Sequence, residues 1–204
     1  MTNEAGRLKD DVAFLRALAE GAAGASARTG AVLLAIGIVF SVVALQYWAI
    51  DSRLVAVPQS WRSWLWLDGP AVFLPALGII QMRLKERSIG PGSRALSAAW
   101  SGLGLALACA VVSLAAAGWR LSLPLLAAWI FPVVLFTLLG ASWAVTFAVQ
   151  RRASHALAGA GSGLAAIACG ALIGSAWEWL ALSAGLLLLM AVPGWLILRA
   201  ERSA

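Results

Sequence analysis

The residues able to do chemistry in this chain are few, and they stand at the edges of apolar runs. In WLWLDGP, Trp64 to Pro70, Asp68 follows Trp61, Trp64 and Trp66 and precedes a long apolar stretch. An acid at that place is a site residue within a membrane, a helix-start device, or an interfacial acid too shallow to matter; Gly69 and Pro70 behind it suit a first helical turn, where proline has no bond to lose. Glu178, in WEWL, is the second acid flanked by tryptophan. With Arg62, Arg120, Asp51 and Arg53, these acids make up a candidate polar vestibule walled by tryptophan. Such a vestibule could bind a lipid head group or a zwitterionic solute, or be a closed ion-pair network. The sequence leaves these readings open.

Other catalytic arrangements lack their parts. His155 is the only histidine, read as part of a basic loop beside Arg151 and Arg152. A haem held between two histidines and a histidine-based zinc protease motif therefore cannot be assembled. No second membrane aspartate pairs with Asp68 as a protease dyad, and Ser142 in LGASW has no histidine at a plausible depth. The glycine runs match no phosphate-binding loop. Cys109 and Cys169 both lie inside apolar runs and read as small buried hydrophobes, not as a disulfide or a metal pair. No catalytic residue, metal or cofactor is expected.

The elements that would position these groups follow from composition. Hydrophobic residues make up 62% of the 204, and only 12% are charged. Soluble domains carry about 25% charged residues, so this chain has too little polar surface for water. Its apolar residues fall in long runs, the pattern of membrane spans. The first run starts near Gly30 with no clear small-residue cleavage site behind it, and is read as a retained span.

Counting these runs predicts an all-α, polytopic membrane bundle of six spans, at about 30–50, 63–82, 94–118, 122–150, 156–176 and 180–198, arranged as three hairpins. The last two come from cutting one long run at Glu178. Residues 1–29 are read as a cytoplasmic amphipathic helix, capped by Asp10 and Asp11 and carrying Val12, Leu15 and Leu18, followed by a Gly/Ala/Ser-rich linker. Residues 200–204 are a short cytoplasmic tail.

With the N-terminus inside, twelve of the fifteen basic residues fall in cytoplasmic segments, leaving Arg53, Arg62 and Arg120 outside. This follows the positive-inside rule, and points to a bacterial-type inner (plasma) membrane with both termini cytoplasmic. The net charge of +6 is thus placed for lipid head groups rather than for nucleic acid. Trp48, Trp119, Trp177 and Trp179 join the tryptophans before Asp68 in one aromatic belt.

Two echoes suggest repetition: WLWL against WEWL, each followed at the end of its span by Glu-Arg-Ser, and SGLGLALAC against SGLAAIAC. Helices drawn from Ala, Gly, Leu and Trp resemble one another anyway, so duplication and chance both stand. Gly102, Gly163, Gly170 and Gly174 are the candidate helix-packing residues, the last two in GxxxG spacing. Pro75, Pro132 and Pro193 each interrupt a span and should bend it.

The function read from these features is that of an integral membrane protein without evident catalytic machinery: an accessory, assembly or structural subunit of a membrane complex. It would contact membrane lipids and either a second copy or a partner membrane protein. The alternative is a small transporter or a lipid- or solute-binding membrane protein using the charged vestibule.

Overall fold

Lipid offers the backbone no hydrogen-bond partner, so apolar runs of this length close their bonds internally as helices. The computed structural model describes residues 2–65, 67–84, 91–123 and 126–202. Regular structure among them is entirely helical: α1 (Thr2–Asp51), α2 (Gln59–Leu65), α3 (Asp68–Arg83), α4 (Pro91–Arg120), α5 (Leu126–Gln150), α6 (Ala153–Ala171), α7 (Ala176–Leu186) and α8 (Val192–Arg202), with a π-helical turn, Leu187–Ala191, between the last two.

The six predicted spans are corrected to four. Four stretches are long and apolar enough to cross a membrane: Ala27–Asp51, Leu96–Arg120, Leu126–Gln150 and Ala176–Ala200. The predicted span at 63–82 breaks before Asp68, which leaves α3 only 16 residues, or about 24 Å at 1.5 Å per residue against a ~30 Å hydrocarbon core. The predicted span at 156–176 fails for a different reason. Its helix, α6, ends at Ala171 and is diluted by Gly159, Gly161, Gly163, Ser154, Ser162 and His155. Nor does a linker separate an N-terminal helix from the first span, because α1 runs unbroken from Thr2 to Asp51. The chain is an all-α, multi-span helical membrane protein.

The three-hairpin arrangement gives way to a bundle closed between its two ends. The most extensive pairings are α5 with α6, α4 with α5, and α1 with α7 and α8. At the centre, α5 buries Pro132, Leu135, Phe136, Leu139, Ser142, Trp143 and Thr146, a stripe at helical spacing. Along the α1–α8 seam the backbones nearly touch. A Cβ built on Gly194 would lie 2.6 Å from the Gly30 carbonyl oxygen, and one on Gly37 would meet the backbone of Ala191. Small residues of this kind let helices gain close van der Waals contact in lipid.

Two polar devices complete the seam. Ser41 Oγ and Ser183 Oγ lie 2.6 Å apart, buried between α1 and α7. Further along, Pro193 has no N–H for the Leu189 carbonyl and its ring would clash with it. The chain answers with the wide turn just before it, where Val192 N–H bonds to Leu187 O.

The antiparallel pairing sorts the chain into two ends. Asp51 meets Trp179, and the ends of α4 and α6 and the start of α5 lie at this Trp-rich end. Gly30 meets Ile197 at the opposite, basic end, where α5 passes into α6 through Arg151 and Arg152.

Candidate functional site

Asp51 is the joint of the Trp-rich end. Its last-turn position on α1 puts Tyr47 one turn before it on the same face. One carboxylate oxygen is ion-paired with Arg62 of α2, and the other accepts the Trp179 indole N–H at 2.8 Å. Trp179 in turn stacks on Tyr47, with centroids 4.8 Å apart and planes at 22°. The Asp51 and Arg62 side chains are 35% and 34% exposed, so the pair itself contributes at most about 1 kcal/mol. Asp51 thus ties α1 to α2 through Arg62 and to α7 through Trp179, with both carboxylate oxygens partnered.

Glu178 faces inward instead. It is 1% exposed and sits in the first turn of α7. Ser175-Ala-Trp-Glu178 has the spacing of a capping box, and the structure holds a shifted form of it. Glu178 Oε2 accepts the Gly174 N–H at 2.9 Å, while the Ser175 hydroxyl donates to Leu172 O at 2.7 Å. Gly174 has φ +77°, a conformation glycine adopts without a Cβ clash. The other oxygen, Oε1, is buried with no hydrogen-bond partner among the described residues. Glu178 therefore locks the α6–α7 turn.

Asp68 is the first residue of α3, exposed, with Leu67 at the cap position and no side-chain cap bond. It makes no hydrogen bond or ion pair with a described residue. Its place in the first turn still suits the positive end of the helix. Behind it, Gly69 is buried against Phe40, which also contacts Phe73 with ring centroids 5.7 Å apart. Arg120 ends α4, and α4 packs chiefly on α5, so it lies apart from the Asp51 cluster. Of the six groups expected together, the structure joins Asp51 and Arg62 directly.

The glycines also divide. Among the described residues, none outside the helix's own backbone comes within 4 Å of a Cβ built on Gly102 or Gly163, and Gly170 has only an ordinary contact with Val133 at 3.8 Å. Gly174 serves the turn. The closest approaches belong to Gly37, Gly185 and Gly194, and Gly194 faces Gly30 across the seam; sequence spacing did not single these out, although Gly30 and Gly37 stand two helical turns apart on one face.

A second cluster forms at the basic end. His155 lies not in a loop but in the first turn of α6, 8% exposed. It stacks on Trp143, with centroids 5.4 Å apart, and its Nε2 is 2.8 Å from Gln150 Oε1. Trp100 meets the same indole edge-on at 5.2 Å. Burial pushes the His155 pKa down, and Arg152 nearby adds to the effect. Trp143 Nε1 is buried without a hydrogen-bond partner among the described residues. No three His, Cys, Asp or Glu side chains among those residues converge to hold a metal.

No protein-family model, curated protein or solved structure matches this chain.

Proposed function

We propose that the chain is a non-enzymatic accessory or assembly subunit of a membrane complex, and that its α4–α5 face receives a helix of a partner membrane protein. One observation carries this reading. α4 has α5 as its main neighbour, and on that side the two leave a groove of about 220 Å³ lined by Ala99, Gly102, Leu103 and Ala106 against Leu138, Ala141, Ser142 and Val145. Acyl chains cover a smooth apolar face adequately. A notch with small residues on both walls gains more from a helix, whose backbone can approach closely. The Trp-rich end gives less support to a solute-binding vestibule, because Asp51 is fully partnered and Glu178 is enclosed. The Arg151–Arg152 end, with Arg28 and Arg199, would face the cytoplasm of a bacterial-type cell under the positive-inside rule.

The test is site-specific photo-crosslinking in native membranes. A photoreactive residue at Ala106 should give an adduct with one defined polypeptide, whereas one at Leu157, exposed on α6, should not. Gly102→Leu should abolish the Ala106 adduct. Lipid adducts alone at Ala106, or the same polypeptide from both positions, would defeat the proposal.

A further inference from the structure

The two helices that wall the partner groove are pinned to each other at the groove's own level. On α4, Trp100 stands between the lining residues Ala99 and Gly102, and on α5 Trp143 stands between Ser142 and Val145. Neither indole lines the groove, but their edge-on contact at 5.2 Å fixes the spacing of its walls. Trp143 is held by packing alone, since its indole N–H has no hydrogen-bond partner among the described residues. Part of that packing is the His155 ring, stacked on it from the first turn of α6.

His155 is built to stay neutral. Gln150 Oε1 can only accept, so Nε2, 2.8 Å away, carries the ring's proton, and Nδ1 is left to take a second. No carboxylate on the helices that meet here would balance the resulting cation. Residues 91–171, which span α4, α5 and α6, contain no Asp, Glu or Lys, and their charges are Arg94, Arg120, Arg151 and Arg152. α6 also packs on α7 and the π-helical turn. Their one charged residue, Glu178, lies toward the Trp-rich end, as does Cys169, while Cys109 is midway along α4. The positive end of α6 opposes a second proton as well. An indole face attracts a cation, but burial and then Arg152 outweigh that attraction and hold the His155 pKa below its ordinary 6.5.

We propose that this corner is a proton switch on the partner groove: protonated His155 turns out from behind Trp143, the Trp100 contact slackens, and the partner helix is released. The release rests on the partner-helix reading, whereas the movement does not. Turned out into water, the ring titrates near 6.5, so acid favours the open corner. Partner affinity should fall as the pH drops below 6.5 toward the lower value of the buried ring, approaching about tenfold per pH unit in that window.

The experiment has two readouts in native membranes made permeable to protons, taken from about pH 7.5 to about pH 5.5. One is the Ala106 photo-adduct. The other is the distance between spin labels at Ala98 on α4 and Val149 on α5, both exposed, in the full chain carrying Cys109→Ala and Cys169→Ala. In the wild type the adduct should fall with pH and the distance should change, and His155→Gln should flatten both. An adduct lost equally in His155→Gln would overturn the switch. So would an unmoved distance in the chain that keeps His155, a measurement that stands even if His155→Gln misfolds. A moving distance with no adduct at either pH supports the switch and defeats the partner-helix reading. A constant adduct with a fixed distance defeats the switch and leaves that reading intact.

Discussion

Gly194→Ala should weaken the fold, and Gly163→Ala should not. On Gly194 the added methyl would sit 2.6 Å from both the Gly30 carbonyl oxygen and the Leu34 nitrogen. Both are backbone atoms and cannot rotate away. Bringing those contacts from 2.6 Å to about 3.5 Å means parting α1 and α8 by roughly 1 Å. A gap of that size forfeits a quarter to a half of each dispersion contact along the seam, including those of Gly37 with Ala191 and Gly30 with Ile197. Overpacking of this kind costs about 1–3 kcal/mol. Alanine returns about 1 kcal/mol through helix propensity at either position, and on Gly163, where a Cβ meets nothing within 4 Å, nothing opposes that gain. The two variants should therefore differ by about 1–3 kcal/mol, and the comparison cancels the propensity term. Reversible unfolding in mixed micelles, followed by circular dichroism, measures the difference. If Gly163→Ala proves the less stable, or the two coincide, the α1–α8 seam is not the tight interface described above.

Two further outcomes follow from the buried polar groups. Glu178→Ala should cost about 1–3 kcal/mol, since it removes the acceptor for the Gly174 N–H and leaves a gap at 1% exposure. Glu178→Gln keeps an acceptor oxygen and should be clearly milder. Equal damage from both, measured by unfolding or by proteolysis at the α6–α7 turn, would refute the turn-lock role. His155 is held neutral in the fold, whereas in the unfolded chain it titrates near its ordinary 6.5. Its contribution is complete above that pH and is lost as the pH falls toward the lower folded-state value. Over that window the loss approaches about 1.4 kcal/mol per pH unit. His155→Gln should flatten the pH dependence of stability between neutrality and mild acid, and an unchanged profile would count against it.

What could be read from the sequence, and what could not, divides along a physical line. Apolar runs are local facts, and four of them appear as helices long enough to span. The break before Asp68 depends on how one turn of backbone resolves Leu67, Gly69 and Pro70, which hydropathy does not encode, so the run at 63–82 was overcounted. α6 was overcounted because its glycines and serines are helix-compatible yet too polar to make a strong span. The site residues follow the same division. Ser175 and Glu178 carry a capping-box spacing, a local signal that identifies Glu178 as a turn device before any vestibule is invoked. Asp51 and Trp179 are 128 residues apart, and no local pattern pairs them. The glycine case is the clearest. GxxxG spacing shows that two glycines share a helix face, but not whether any helix lies against it. Gly170 and Gly174 have the spacing with almost no neighbour, whereas Gly37 and Gly194 have the neighbour and no motif. In lipid, where apolar residues cover lipid-facing and buried faces alike, hydrophobicity cannot choose between faces. The choice falls to which backbones approach closely, and that depends on partners far apart in the chain.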